Sequence, residues 1–180
     1  MNQLHLILFA PLLTLLAWAS VTDCRSRRIP NWITAGLALG GLLTSFLPQS
    51  GLTPLGSIEG FGVGFGLSFL IYLMGGQGAG DVKLLAAVGS WMGPAKAMEV
   101  FVLAALVSMV VAIGYVLVRG RMTELCGSSM VAVWRLITER RAPVVGSRSI
   151  GKPLPHAPVI FAATVCVLLY RARIWSGGVV

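Results

Sequence analysis

Charged side chains are scarce in this chain: Asp, Glu, Lys and Arg make up 11% of its 180 residues. A soluble domain averages about 25%, so this scarcity, together with a hydrophobic content of 56%, excludes an ordinary soluble domain and predicts an integral membrane protein. The net charge is +8, but the basic residues lie between apolar runs and no nucleic-acid-binding motif accompanies them. We therefore expect membrane lipids, and no nucleic acid, as partners.

Cysteine and histidine are also rare. Cys24, Cys126 and Cys166 are odd in number, lie far apart and form no CxxC pair, which argues against a disulfide framework and a structural zinc site. His5 and His156 are the only imidazoles, and neither lies near a cysteine in the sequence. We expect no metal and no cofactor.

A helix that spans a membrane needs about 20 apolar residues, and apolar runs occur at about 4–22, 32–48, 57–75, 82–94, 97–118 and 156–171. We predict an all-α integral membrane protein, a bundle of about six transmembrane helices in one domain, 1–180. The fourth run is short and is interrupted at Gly93-Pro94, so its full crossing stays open. The first run is predicted as a retained helix because its positive charges follow it, whereas a signal peptide has them in front.

The positive charges predict the orientation of the bundle. Placing Arg25, Arg27 and Arg28 in the cytoplasm puts most of the 14 basic residues on the inner side, as membrane topology favours. The N-terminus is then outside, and residues 119–152 form a basic cytoplasmic loop. The protein is expected in a bacterial cytoplasmic (inner) membrane.

Helical patterns add two expectations. Apolar side chains in the 119–152 loop recur at i, i+3, i+4 and i+7, at Met130, Val133, Trp134 and Ile137. They indicate an amphipathic helix that lies on the membrane surface or packs on the protein itself. Small residues let membrane helices approach closely, so we expect the glycines at Gly36, Gly40, Gly60, Gly62, Gly64 and Gly66 to mark helix contacts.

Aspartate occurs only twice, and both positions follow or precede an apolar run. Asp23 follows the first run, and Asp81 closes the turn Gly78-Ala79-Gly80-Asp81. Under the predicted topology both lie at the cytoplasmic boundary. An ionisable residue at membrane depth is costly and suggests a functional site, and two carboxylates that meet can transfer protons. Gly78 and Gly80 are expected to allow positive φ and close approach in the turn.

Each aspartate also has a plainer interpretation. Asp81 can be the N-cap of the next helix after a flexible turn, and Asp23 can pair with a neighbouring arginine. Neither interpretation explains why the two aspartates of this chain share one boundary.

Two segments together resemble a known family. Asp23, followed by Arg27-Arg28-Ile29-Pro30-Asn31, and Gly78-Ala79-Gly80-Asp81-Val82-Lys83-Leu84 look like the two signatures of type IV prepilin peptidases, membrane aspartyl proteases of the GxGD class. The segment Pro153-Leu154-Pro155-His156-Ala157-Pro158 resembles the proline-rich approach to their last helix. The chain is most similar to the short CpaA/TadV-like branch, which serves Tad/Flp pilus systems.

The resemblance implies a function and a site. Asp23 and Asp81 would form the catalytic dyad that activates water, with either aspartate holding the shared proton. Pro30 and Asn31 would shape the turn at Asp23, Gly78 and Gly80 would let Asp81 approach, and Lys83 would stabilise the dyad, contact substrate or simply extend to the interface.

The substrates implied are prepilins or pseudopilins, cut after a short basic leader at the cytoplasmic face. Larger family members carry an insertion with paired CxxC motifs that is associated with N-methylation. The first two runs of this chain leave no room for it, so we expect no methyltransferase activity. The resemblance says nothing of the oligomeric state.

Two other classes remain open from the residues. A small proton-coupled transporter or channel would use the aspartates as a relay, but it is expected to show inverted repeats with broken helices at the membrane midplane. A non-catalytic scaffold in a secretion apparatus would need neither aspartate.

Overall fold

The computed structural model of the protein describes residues 3–26, 28–74, 77–119 and 156–177. These residues form six α-helices and one short 3-10 helix: α1 (Gln3–Ser26), α2 (Asn31–Ser45), the 3-10 helix (Pro48–Ser50), α3 (Pro54–Leu73), α4 (Ala79–Met92), α5 (Pro94–Arg119) and α6 (Ala157–Gly177). The all-α class is confirmed, and every predicted apolar run corresponds to a helix. Apart from Arg119, the predicted 119–152 loop and its amphipathic helix lie outside the described residues.

The helices differ in whether they are long enough to cross a membrane. Among the described residues, α3 and the Pro94–Val111 part of α5 have both the length and the apolar composition of a span. At about 1.5 Å per residue, the 14 residues of α4 extend about 21 Å, less than the roughly 30 Å of a bilayer core. A crossing by all six helices, the outward N-terminus and the single domain stay predictions.

Helix α4 is the centre of the fold. It packs against α2, α3 and α5, and most of its residues, from Asp81 to Met92, are buried. It ends where the sequence predicts an interruption, since Gly93 has φ of 80°, a positive value that glycine adopts without strain. Pro94 then begins α5, a position that suits its fixed φ and missing N–H. The helix that carries Asp81 is therefore held on three sides.

Close backbone approach joins α3 to α4. A methyl group built on Gly60 would collide with the carbonyl oxygen of Gly89 and lie 2.8 Å from the Cα of Gly93. The expectation that glycines mark helix contacts is confirmed for Gly60, and Gly64 is similar, because a methyl group there would lie 2.6 Å from the carbonyl oxygen of Leu85. It is wrong for Gly36, Gly62 and Gly66, which have nothing within 4 Å of such a methyl group.

Polar groups join α2 to the end of α4. The indole Nε1–H of Trp91 donates to the carbonyl oxygen of Leu37 at 2.7 Å, and the hydroxyl of Ser90 donates to the carbonyl oxygen of Ala38 at 3.3 Å. These side chains are buried, where an unpaired donor would be costly. They fix the far end of α4 relative to α2.

Candidate active site

Asp23 lies in the last turn of α1 and is nearly enclosed by protein, with 7% of its surface exposed. Helix α1 continues past the apolar run as far as Ser26, so Asp23 is helical rather than part of a turn. Its Oδ2 accepts a hydrogen bond of 3.1 Å from the backbone N–H of Ala157, the first residue of α6. α1 and α6 pack against each other, which brings this amide to the carboxylate.

Asp81 is equally buried, at 7% exposed, and it is the third residue of α4. Its Oδ2 accepts the N–H of Gly78 at 3.1 Å, which satisfies one of the amides that a helix leaves unpaired at its N-terminus. A carboxylate is also favoured there by the helix dipole. The interpretation of Asp81 as an N-cap is wrong by three residues, because the N-cap is Gly78.

The glycines of the turn act differently from the expectation. Gly78 has φ of −83° and ψ of 153°, an extended conformation that any residue adopts at an N-cap, so the prediction of positive φ is wrong for it. Gly80 instead allows the turn to approach the side chain of Ile29 closely. A methyl group built on it would lie 3.4 Å from the side chain of Ile29, so the first signature packs directly on the second.

The two aspartates line one cavity of about 350 Å³. The residues around it come from both sequence signatures: Asp23, Arg28, Ile29, Asn31, Gly78, Ala79, Gly80, Asp81 and Lys83. Of the predicted site residues, only Pro30 is not part of this lining. Pro30 precedes α2 as its N-cap, with φ of −61°, and its carbonyl accepts the N–H of Ile33 at 3.1 Å.

A hydrogen bond between the signatures holds a positive charge at the cavity. The Nζ of Lys83 donates to the Oδ1 of Asn31 at 3.0 Å. Lys83 is exposed, which agrees with a side chain that extends to the membrane–water interface. Its ammonium group is nevertheless bound by Asn31, a residue of the first signature. The bond joins the start of α2 to the first turn of α4.

Burial dominates the electrostatics of Asp81, which lies in the first turn of α4, just before the predicted apolar run 82–94. Burial raises the pKa of its carboxyl above the ordinary value of 3.8, because removal from water disfavours the charged form. The imidazole of His156 and the N–H of Gly78 lower this pKa, and the carboxylate of Asp23 raises it. The charge of Asp23 therefore opposes the ionisation of Asp81.

Sequence reasoning missed the contribution of α6 to this site. His156 and Ala157 had been considered only as a possible metal ligand and as part of a proline-rich helix approach. A histidine next to a helix start was the only signal available. Within the described residues, no group of three or more His, Cys, Asp and Glu side chains gathers as a metal site would require.

Comparison with protein families identifies the chain. The model of the type IV leader peptidase family matches residues 10–113, which is more than half of the sequence and includes both aspartates. The chain belongs to the type IV leader peptidase family. No solved structure matches it.

Individual relatives agree with this family. The chain is 33% identical over 107 residues to the "Type 4 prepilin-like proteins leader peptide-processing enzyme" of Escherichia coli O78:H11, a match over 54% of this chain and 40% of that protein. It is 35% identical over 117 residues to the "Prepilin leader peptidase/N-methyltransferase" of Aeromonas salmonicida, covering 58% of this chain and 40% of the relative.

An archaeal relative extends the comparison. The chain is 36% identical over 87 residues to the "Preflagellin peptidase" of Methanococcus voltae, covering 46% of this chain and 36% of that protein. The matches thus span about two fifths or less of the length of these relatives.

Proposed function

We propose that this protein is an aspartyl endopeptidase that removes the basic leader from type IV (Flp-like) prepilins at the cytoplasmic face of a bacterial inner membrane. The observation that carries the proposal is the pairing of Asp23 and Asp81, the two aspartates of the chain, in one cavity. Membership of the leader peptidase family supports the reaction, and the names of the relatives support the class of substrate.

The proposed chemistry follows from two neighbouring carboxylates. Neighbouring carboxylates cannot both ionise easily, so in the proposed mechanism one carboxyl is ionised and the other is protonated. The ionised carboxylate removes a proton from water, which attacks the scissile carbonyl carbon. The protonated carboxyl donates a hydrogen bond to the carbonyl oxygen, and a proton then passes to the leaving amine as the peptide bond breaks.

The neighbouring groups suit this chemistry. The N–H groups of Ala157 and Gly78 each bind one oxygen of an aspartate, which leaves the second oxygen of each carboxyl for water, substrate or the other aspartate. Arg28 and Lys83 also line the cavity, and their positive charge is suited to stabilise a negative charge that develops on the substrate carbonyl.

The proposal is limited to peptidase activity. The name of the Aeromonas relative includes an N-methyltransferase, but that protein extends well beyond the matched region. Between α1 and α2 this chain has only residues 27–30, which leave no space for an inserted cysteine-rich module. Close similarity to the CpaA/TadV-like branch is part of the same proposal.

Cleavage of a co-expressed prepilin tests the function. Wild type, Asp23→Asn and Asp81→Asn are compared at matched membrane levels, with the leader scored by gel mobility. Removing a positioned acid or base costs about 10²–10⁴-fold in rate, so both variants should leave the prepilin unprocessed. Glu59→Gln is the control, because it makes the same change at an exposed position of α3 and should process normally.

The other outcomes are also informative. Normal processing by either aspartate variant would remove that residue from catalysis. Failure of the wild type on every co-encoded prepilin, with proton flux into vesicles that depends on both aspartates, would favour the transporter interpretation instead.

A further inference from the structure

Asn31 joins the two signatures at the edge of the candidate site. Its Oδ1 accepts a hydrogen bond of 3.0 Å from the Nζ of Lys83, 52 positions further along the chain. Its backbone carbonyl accepts the hydroxyl of Thr34 at 3.0 Å, and Pro30 before it has φ of −61°, a value that the proline ring fixes. Asn31 is therefore held at the start of α2 through both its backbone and its side chain.

The bond to Lys83 determines which end of the Asn31 amide stays available. A lysine ammonium can only donate hydrogen bonds, whereas a side-chain amide has an oxygen that accepts and an NH2 group that donates. The oxygen must therefore face Lys83, and the NH2 group is the end left for another partner. Among the described residues, the structure records no acceptor for this NH2 group. Because Asn31 lines the cavity, its NH2 group suits an acceptor that enters the cavity.

The polar side chains of the cavity form two sets. Arg28, Asn31 and Lys83 are exposed and carry hydrogen-bond donors, and we call these three residues the donor rim. Asp23 and Asp81 are buried and carry carboxyl oxygens. All five line the same cavity. A substrate that enters it therefore meets donors at the exposed edge and carboxyl groups further inside.

The charge of the donor rim restricts what it can bind. Arg28 and Lys83 are cations, and like charges brought together oppose binding, so the basic side chains of a prepilin leader are poor partners for the rim. Each peptide unit of the substrate, in contrast, has a carbonyl oxygen that accepts hydrogen bonds. A backbone carbonyl is therefore the part of the substrate that suits the rim.

We propose that Asn31 is a substrate-binding residue whose NH2 group donates to a backbone carbonyl oxygen beside the scissile bond of the prepilin, and that Lys83 is the positioning residue that orients this amide. The inference rests on the proposed peptidase function for its ligand. Asn31 is exposed whereas both aspartates are buried, which assigns it to a neighbouring peptide bond rather than the reacting one. Such a contact is the same in bound substrate and transition state, so its loss should raise KM and leave kcat unchanged.

Nuclear magnetic resonance tests the orientation without substrate. The chain has two asparagines, Asn2 and Asn31, so the purified full chain labelled with ¹⁵N-asparagine gives two pairs of side-chain NH2 signals, and the spectrum of Asn31→Ala assigns them. Lys83→Met should move the Asn31 pair and leave the Asn2 pair in place. Lys83→Arg, which keeps a cationic donor, should move it less. An Asn31 pair that is unchanged in Lys83→Met would overturn the positioning role of Lys83.

A peptide that binds without being cleaved tests the contact itself. The probe is a prepilin peptide with a reduced –CH2–NH– linkage at the scissile bond, which leaves the neighbouring carbonyls intact. It should move the Asn31 signals of the wild type. In a series in which each neighbouring carbonyl in turn becomes a thioamide, whose sulfur is a weaker acceptor, one member should bind the wild type less tightly but bind Asn31→Ala no worse than the parent peptide does. If every thioamide changes binding equally in both proteins, Asn31 contacts no carbonyl and the proposal fails.

Kinetics separate this contact from a merely structural role. Asn31→Ala should raise KM for prepilin cleavage about 2–10-fold, the range of a single hydrogen bond, with kcat unchanged. Lys83→Met should also raise KM, and Lys83→Arg should restore it. Because Lys83 acts on KM through Asn31, the double variant should have the KM of Asn31→Ala. A wild-type KM in Asn31→Ala, or a loss confined to kcat, would overturn the proposal.

The control and the wild type distinguish the two proposals. Glu59→Gln, at an exposed position of α3, should keep the wild-type KM. If the wild type cleaves no prepilin, the proposed function fails, whereas the Asn31 signals with and without the uncleavable peptide still decide whether Asn31 binds it and whether Lys83 orients the amide. If the wild type cleaves but Asn31→Ala keeps its KM, the function stands and this inference fails.

Discussion

The contact between Gly60 and Gly89 makes a sharp prediction about stability. A methyl group added by Gly60→Ala would collide with the carbonyl oxygen of Gly89 and lie 2.8 Å from the Cα and carbonyl carbon of Gly93. These are backbone atoms, which have no rotamer to change, so α3 and α4 must move apart. Overpacking of this kind costs about 1–3 kcal/mol, against about 0.5–1 kcal/mol that alanine gains over glycine within a helix.

Gly62→Ala is the matched control, two residues further along α3. A methyl group there has nothing within 4 Å, so only the helical preference of alanine remains. We expect Gly60→Ala to be less stable than Gly62→Ala by about 1–3 kcal/mol, which corresponds to a midpoint of thermal unfolding roughly 2–12 °C lower for a chain of this size.

The assay is thermal unfolding of the two purified variants and wild type in one detergent. Each midpoint is measured at a single heating rate, because unfolding of such proteins is often irreversible. The reasoning would be refuted if Gly60→Ala unfolded at the same temperature as Gly62→Ala. Because α4 carries Asp81, Gly60→Ala should also reduce prepilin cleavage relative to Gly62→Ala.

Three further predictions concern single interactions. Trp91→Phe removes a buried donor and should cost about 1–2 kcal/mol of stability, measured by thermal unfolding, whereas Trp32→Phe changes a side chain that is 64% exposed and should cost little. Lys83→Met and Asn31→Ala should show a coupling of about 0.5–1 kcal/mol in a double-mutant cycle of unfolding, and additive effects would mean that their hydrogen bond contributes nothing. Burial raises the pKa of Asp81, so its neutral form stabilises the native state at acid pH and this contribution is lost as the pH rises through the native-state pKa. Asp81→Asn should therefore unfold at a higher temperature than wild type at neutral pH, and a difference that grew on acidification would contradict this sign.

The helices were predictable because their signal is local. Runs of apolar residues and the interruption at Gly93-Pro94 correctly predicted six helices and the end of α4. The start of α4 was less predictable. The fourth run was placed from residue 82, but the helix begins at Ala79, because Asp81 binds the amide of Gly78 and extends the helix back through the glycine turn.

The site was predictable only where topology brings its parts together. Asp23 and Asp81 were both expected at one membrane boundary, and the structure brings them to a common cavity. The hydrogen bond from Ala157 to Asp23 could not be predicted in this way. This bond depends on how α6 packs against α1, and no local pattern in the sequence records the pairing of helices so far apart along the chain.

The bond between Ala157 and Asp23 has a consequence for the order of biosynthesis. Asp23 is made early and its amide partner 134 residues later, so a ribosome releases Asp23, Asp81 and the whole region matched by the family model well before α6 exists. A nascent chain lacking α6 therefore has both aspartates but cannot hold Asp23 in the orientation seen here. Under the proposed function, the orientation of Asp23 needed for cleavage would arise only after the last described helix has joined the bundle.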